Sequence, residues 1–520
     1  MLLVLCSCSF VLSGQVENYS AGLNGQKLDW LLFYLNDHYV DQVDEEFLTE
    51  KAILSIVQEL DSYSVYQNKA DAEKQAIADK GYSGRATGFN FFVLKDTAIV
   101  TYISQGGPAE KAGLLKGDRL LTMNGQSIIG SDVQKLRDRV KDKDLEDFAF
   151  DVLRKDSETT KVSFNKDLIP WKSVNAAYMV TETVGYIKLG KFTVNTVDEF
   201  TTSLKYLLSI GLQELILDLR DNRGGLVQQA YALADIFLPE GKLIYKEASV
   251  NVNKDYHTTS LGLFETGKLV VMQNASTASA SEIFIGALQD WDRAVVLCVS
   301  TYGKGLIQQS FKLGDGSNIR ITTGRYETPT GRILQREEGT DNNDWMTPYQ
   351  EALRKNSLTA KLTNVADNLK GQSMSGRYLV TGPGGIVPDV YYVHEDTEDW
   401  GLYKELNAKG YLYEFTTQYT DYHRAKMQFE YPTVRAFHED RIREAFMLKE
   451  FRSFLVSKSP GMALPRNFPE NIVFQIKKWM ASQLWHDNAF HEMDNMNDRL
   501  LWRAREIQEG RVHDILGVKY

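Results

Sequence analysis

Three short segments, each directly after an apolar run, combine residue types that could do chemistry. Asp218-Leu-Arg-Asp-Asn-Arg-Gly-Gly225 carries adjacent glycines, which let backbone N–H groups approach a ligand closely; a tight strand-to-helix turn is their simpler use. Asn274-Ala-Ser-Thr-Ala-Ser-Ala-Ser-Glu282 gathers small hydroxyl residues where a helix should begin. Capping is the ordinary task of such residues. The same geometry exposes a hydroxyl beside free N–H donors, which acyl transfer needs. Thr301-Tyr-Gly-Lys-Gly-Leu-Ile-Gln-Gln309 sets a lysine between two glycines, an unusual choice unless it is a surface turn.

The histidines do not offer an alternative. His38, His257, His394, His423, His438, His486, His491 and His513 all fall outside these glycine-rich turns. No pair has the HExxH spacing, and thiolate zinc clusters need more cysteine than this chain has. Cys6 and Cys8 lie in an apolar leader. Cys298 lies in the apolar run Ala294-Val-Val-Leu-Cys-Val299, where a small buried hydrophobe is expected. No metal and no cofactor are implied.

The elements around the three segments alternate as in an α/β domain. Strands are expected at 184–189, 215–219, 269–272, 294–299 and 319–325, with helices at 195–210, 227–237 and about 279–289. Residues 27–62 have helical spacing, with Leu28, Leu31, Leu32 and Leu35 and then Leu48, Ile53, Ile56 and Leu60 read as core faces. Residues 84–172 form a β-rich unit: strands 89–94 and 98–103, the run Gly106-Gly-Pro-Ala-Glu-Lys-Ala-Gly-Leu114, turn signals at Gly117-Asp118 and Asn124-Gly125, a helix at 131–140 and a strand at 147–154. Residues 396–520 are mostly helical, and Ile442, Ala445, Leu448, Phe451 and Leu455 make one stripe.

The β-rich unit resembles a PDZ domain of the kind carried by exported proteases. The three segments together resemble the carboxy-terminal processing, or tail-specific, proteases of the S41 serine peptidase family. Leu60-Asp-Ser-Tyr-Ser-Val-Tyr66, Thr328-Pro-Thr-Gly-Arg332 and Gly384-Gly-Ile-Val-Pro-Asp389 extend the resemblance from about residue 40 to 395. It implies a crotonase/ClpP-like α/β peptidase core with an inserted PDZ domain and helical N- and C-terminal regions. The expected divisions are a leader at 1–14, an N-terminal helical region at 15–83, the PDZ unit at 84–172, the core at 173–395 and a C-terminal helical region at 396–520.

Carried over position by position, the resemblance implies Ser279 as nucleophile and Lys304 as its base. Gln308, one helical turn on, would orient the lysine. The oxyanion donors would be the N–H groups of Ala280 and of Gly224, with Gly225 supporting. Asp290 matches an acidic position near the site in some members. In the PDZ unit, Thr87, Gly88 and Phe89 would offer N–H groups to a substrate's C-terminal carboxylate. Phe89 and Phe91 would line an apolar pocket, unless both rings fill the domain's own core. The dyad is chemically sound: desolvation lowers a lysine's pKa, so that it can take a serine's proton. Leu306, Ile307 and strand 294–299 could wall the amine, and Gln308 can bond it without adding charge. The pattern departs at Asp221-Asn-Arg-Gly-Gly, where Asn-x-Pro-Gly-Gly is commoner, and at Cys298, where glycine is usual. It departs in the PDZ unit as well, at Arg85 and Thr87 and at Lys141-Asp-Lys-Asp-Leu-Glu146.

Charge and leader bound the setting. The 520 residues hold 59 Lys+Arg against 69 Asp+Glu, a net charge of -10, so charge alone does not suit the chain to nucleic acid. Residues 1–14 carry no charge and read as the apolar part of an export signal lacking its positive start, as from a start codon placed too late. Export to the periplasm or cell envelope is expected, with lipidation at Cys8 or a cytosolic chain as alternatives. Substrates would be proteins or peptides with free C-termini, and a homodimer remains open. The rivals are a non-catalytic peptide binder on the same scaffold and an adaptor that recruits partners through its PDZ unit. Neither has a use for Ser279, Lys304 and Gln308 together.

Overall fold

Side-chain alternation along the strand Glu214–Asp218 sets the layering of the α/β region. Leu215 and Leu217 enter one core, while Ile216 between them enters a second, so both faces of this strand are covered. The sheet runs in the order Val174–Met179, Val184–Leu189, Glu214–Asp218, Leu269–Gln273, Val295–Cys298 and Val390–Tyr391. Its first pair is antiparallel and every later pair parallel. The helices Thr196–Ser209, Val227–Ala234 and Ala280–Asp290 pack on the first face through Phe200, Leu204, Leu233, Phe284 and their neighbours.

The second face is closed from the far end of the chain. Leu500, Leu501, Ala504 and Ile507 of the helix Arg499–Glu509 pack on Ile216, Val270, Met272 and Leu297. Gln508 donates its amide to the Leu215 carbonyl at 2.8 Å. The helix Arg499–Glu509 is therefore a layer of this sheet.

The structure, a computed structural model, describes residues 22–154, 158–250, 253–260, 262–337, 370–382, 384–393, 400–485, 488–510 and 512–518. The leader with Cys6 and Cys8, and also His394 and His486, lies outside the described residues. The chain divides into a smaller unit, residues 1–72 with 308–322, and a larger one, 73–307 with 323–520.

In the smaller unit, helix Glu45–Gln58 is capped by Asp44, which accepts the Phe47 N–H at 2.9 Å. Asp61 closes the next turn by accepting N–H groups from Tyr63 and Ser64 at 2.7 and 2.6 Å. Val65–Gln67 then pairs antiparallel with Asn318–Arg320. The expected core face of the first helix is not one: Leu23–His38 buries no residue, and Leu28 and Leu31 are exposed with Trp30 and Phe33.

In the larger unit, the PDZ region is a sheet in the order Phe89–Leu94, Thr97–Ile103, Arg119–Met123, Asp147–Leu153 and Thr159–Asn165. Phe89–Leu94 is an edge strand of that sheet. Its other side chains meet the C-terminal region: Phe92 packs edge-on against Tyr413, whose hydroxyl donates to Thr101 Oγ1 at 2.7 Å, and Arg119 pairs with Asp421 at 2.5 Å. The C-terminal helices have their own core around Phe415, Phe451, Met447 and Leu455. The stripe expected to begin at Ile442 is displaced, since Ile442 is exposed and Met447, Phe451 and Leu455 carry the buried face of Arg441–Lys458.

Two histidines of this region are held neutral. Burial pushes His491 down to about 4, with the Lys188 ammonium adding to the effect. Burial also lowers His513, against the pull of its bond to the Leu269 carbonyl. A depressed native pKa makes the unfolded chain the better proton binder once pH falls below the free-histidine value of about 6.5. Stability is thus complete above that pH and lost as pH falls toward 4. The melting temperature should hold from pH 8 to 7 and drop by several degrees by pH 5, with His491→Gln flattening the slope. A melt that is level across this range contradicts the assignment.

Candidate active site

The three glycine- and hydroxyl-rich segments leave the C-terminal ends of three adjacent parallel strands, Glu214–Asp218, Leu269–Gln273 and Val295–Cys298. Open parallel sheets place their sites at this edge. The loops are tied to one another before any substrate is considered. Asp221 and Asn274 exchange hydrogen bonds at 3.0 and 2.9 Å. Thr277 donates its hydroxyl to the Leu219 carbonyl at 2.9 Å, and the Tyr302 N–H bonds the Thr277 carbonyl at 2.9 Å.

Ser279 sits at the turn from strand to helix with φ 60 and ψ -121, a conformation that L residues adopt only under constraint. The constraint is Glu282, fully buried on the first turn of the helix Ala280–Asp290. Its Oε2 accepts the Ser279 N–H at 2.7 Å and the Lys304 N–H at 2.8 Å. Its Oε1 accepts the Gly303 N–H at 2.7 Å and the Thr301 hydroxyl at 2.5 Å. The backbone nitrogens of Ser279 and Lys304 therefore lie within two hydrogen-bond lengths of each other. Burial pushes the Glu282 carboxyl above the usual glutamate range, while these four donors pull toward the ionised form. Glu282 was not among the expected site residues. Its signal was the Ser-x-x-Glu capping-box spacing, which local reasoning spends on the helix end alone.

The glycines beside the lysine have steric causes. A Cβ on Gly305 would lie 2.4 Å from the Gln335 nitrogen, and one on Gly303, at φ +90, would lie 2.9 Å from Arg336 Cβ. Lys304 itself is half-buried between them. Cys298, at a position where glycine is usual, has φ 111, and burial pushes its thiol up to about 11, which suits packing and not nucleophilic attack.

The expected oxyanion donors fare differently. Ala280 is the first residue of its helix, so its N–H has no intrahelical acceptor. Gly224 is in the right place: a Cβ there would lie 2.9 Å from the Ala280 nitrogen and 2.9 Å from Ser279 Cβ. However, its N–H is donated to Asn222 Oδ1 at 2.9 Å, so in this conformation it is committed to the loop and not to a ligand. Asn222, fully buried, also takes the Ala278 N–H and the Ser281 hydroxyl on its carbonyl at 3.1 and 3.0 Å, bracketing Ser279. Ser281 is buried by that bond.

Three further expectations are corrected. Asp290 lies at the opposite end of the helix from Ser279, about 16 Å away at 1.5 Å per residue. It braces the 328–332 turn, accepting the Thr330 N–H at 2.9 Å and pairing with Arg332. Gln308 is not one helical turn past Lys304 but in the strand Leu306–Lys312, and its amide donates to the Tyr63 carbonyl at 2.6 Å. Phe89 and Phe91 are 6% and 9% exposed and pack with Phe150 and Phe164, so the rings fill the PDZ core and line no ligand pocket. Thr87 is buried, and Gly88 turns at φ +75 under Pro108 and Ile169.

A groove of about 690 Å³ runs along Gly106, Trp171, Asn195, Glu199 and Tyr206, between the PDZ unit and the core. It is not lined by Ser279 or Lys304. Among the described residues no cluster of His, Cys, Asp and Glu could hold a metal ion, and no helix is long and apolar enough to cross a membrane.

Comparison with known proteins gives this arrangement its class. Residues 183–343 match the profile of peptidase family S41, and residues 99–146 match a PDZ domain. A probable CtpA-like serine protease of Staphylococcus aureus (strain N315) is 31% identical over 366 residues, which span 69% of this chain and 72% of that one. A protein of the same description from Staphylococcus epidermidis is 29% identical over 330 residues, covering 61% and 66%. Among solved structures, a photosystem II D1 C-terminal processing protease aligns over 71% of this chain and 86% of that one, at 23% identity and a TM-score of 0.38. The chain belongs to peptidase family S41 and is a serine peptidase with a PDZ domain.

The Glu282 clamp is open to test. Glutamine keeps one acceptor oxygen but turns an NH2 toward two of the four donors, leaving them unmet in a buried place. Each such loss costs about 1–3 kcal/mol. Glu282→Gln should lower the melting temperature clearly and turnover by about a hundredfold or more. Parental turnover in the folded variant would show that the carboxylate holds nothing catalysis needs.

Proposed function

We propose that the protein is an endopeptidase that cleaves exported proteins near their C-termini with a Ser279–Lys304 dyad, its PDZ unit binding the substrate tail. One observation carries the dyad: the backbones of Ser279 and Lys304 hang from the same oxygen of Glu282. The uncharged apolar leader supports action outside the cytoplasm.

In this reading Ser279 Oγ attacks the scissile carbonyl carbon as its proton passes to Lys304 Nζ. The oxyanion takes the Ala280 N–H, since the Ser279 N–H is already spent on Glu282. The second donor comes from the Gly224–Gly225 pair, either Gly225 or Gly224 once it leaves Asn222. Collapse breaks the C–N bond, and the departing amine takes the proton back from Lys304. Water then attacks the acyl carbon as Lys304 takes its proton, and collapse breaks the C–Oγ bond as Lys304 returns that proton to Ser279 Oγ. Gln308 is kept as a supporting residue through its hold on Tyr63.

Ser279→Ala and Lys304→Ala should each reduce cleavage of an unstructured protein with an apolar C-terminus by at least about a thousandfold, with the fold intact. Ser281→Ala should retain the nucleophile and hence activity above that floor. Mass spectrometry of the fragments reads both. Full activity in Ser279→Ala would remove the assignment.

Tail recognition rests on the free edge of Phe89–Leu94, to which a peptide could add as a further strand. A terminal carboxylate accepts charge-assisted bonds, each stronger than a neutral one by a margin of roughly 1 kcal/mol or more. Amidating the substrate's C-terminus should therefore weaken binding about tenfold. Equal cleavage of acid and amide, unchanged when the PDZ unit is deleted, would leave the peptidase without a tail sensor.

A further inference from the structure

The C-terminal helices reach the catalytic loops through one side chain. Asp498 caps the helix Arg499–Glu509, its Oδ1 accepting N–H groups from Leu500 at 2.9 Å and Leu501 at 3.3 Å. Its Oδ2 does something else, accepting Nη2 of Arg220 at 2.6 Å. Both side chains are largely buried, 21% exposed for Arg220 and 16% for Asp498.

Arg220 opens the loop that ends in Gly224–Gly225, and its backbone, Nε and Nη2 are all held. Its guanidinium also pairs with the fully buried Asp218, through Nη2 at 2.7 Å and Nε at 3.0 Å. Its N–H bonds Asp218 Oδ1 at 2.9 Å, and its carbonyl accepts from Lys188 Nζ at 3.4 Å. Nη2 is shared, so Asp218 and Asp498 together fix the orientation of the fork. Two residues on, Asn222 brackets Ser279 and holds Gly224. Between the two anchors the chain has little preference of its own for this shape: Asp221, Gly224 and Gly225 have φ of 64, 87 and 141. A loop with that backbone keeps its form only when its surroundings impose it.

We propose that Asp498 is a positioning residue for catalysis. Through the Arg220 guanidinium it holds the 221–225 loop against the Ser279 elbow, so the C-terminal helical region helps set where the oxyanion donors lie. This rests on the reading of Ser279 as nucleophile. A displacement of about 1 Å at such donors can cost roughly a hundredfold in rate.

Asp498→Asn and Asp498→Ser separate this role from a structural one. Both residues are good N-caps, so the helix keeps its start, but neither offers Arg220 a charged acceptor. The control is Leu501→Ala, which removes packing from the same helix without touching Arg220. Melting temperature, KM, kcat and affinity for a substrate-tail peptide are measured on the full chain, with activity read well below each melt. The proposal expects both Asp498 variants to melt within a few degrees of the parent, with KM and tail affinity unchanged and kcat down about 10- to 100-fold. Leu501→Ala should melt lower and keep the parental kcat. Parental kcat in both Asp498 variants overturns the proposal. So does a loss of kcat equal to that of Leu501→Ala, since any loosening of the helix would then suffice. Ser279→Ala, run alongside, must be inactive throughout; activity there would undo the nucleophile assignment and not the Asp498 argument.

Discussion

The site depends on a carboxylate with no water to solvate it. Glu282 replaces hydration with four protein donors, two of them the backbone N–H groups of Ser279 and Lys304. Burying a charge is costly unless hydrogen bonds and local dipoles take over the work of solvent. Here four donors offset part of that cost and the N-terminal end of the helix Ala280–Asp290 adds a favourable field, while burial still leaves the carboxyl above the usual glutamate range. The return is geometric. A carboxylate is planar and rigid, so the strand-to-helix turn and the glycine–lysine–glycine loop are joined through one small fixed body. The positive φ of Ser279 would relax in a free peptide, and it is retained because its N–H has this single destination.

The rest of the core presents that body at the right place. The helix bearing Glu282 is buried on all sides along its whole length, so it cannot rotate or slide without breaking packing on every face. The three loops leave neighbouring strands and are laced by Asn274, Thr277 and Asn222 at their shared edge. Glycines occur where another backbone comes too close for a side chain, at Gly224 and Gly305, and where Arg336 Cβ does, at Gly303. Polar groups facing polar groups, and missing Cβ atoms, make the loops mutually exclusive of other shapes.

Much of this was legible in the chain because motif residues in this fold act through backbone demands that leave a mark. Gly-Lys-Gly and Gly-Gly mark crowding, and the alternating elements mark a layered α/β sheet. The cysteine at a glycine position fits a strand end at φ 111. What escaped was long-range. Glu282 reads locally as a cap, and only the folded chain brings residues 301, 303 and 304 to it. Asp498 likewise looks like an ordinary helix start, its second oxygen invisible in sequence. Asp290 fits the pattern but braces the 328–332 turn, and Gln308 lies in a strand with its amide on the Tyr63 carbonyl, where a helical turn is expected. Phe89 and Phe91 alternate as both a pocket wall and a core would, so periodicity could not choose between them. The stripe of the first helix reads in sequence as a core face, but Leu23–His38 buries no residue.

The late position of the helix Arg499–Glu509 has a consequence for how the enzyme comes into being. A chain emerging from the ribosome carries Ser279 and Lys304 long before it carries the layer that closes the lower face of their sheet, and folding proceeds roughly in order of emergence. Until the final helices dock, Ile216, Val270, Met272 and Leu297 lie open to water and Arg220 lacks one of its two carboxylates. On the proposed reading of the site, the 221–225 loop gains its second carboxylate anchor only when this helix docks.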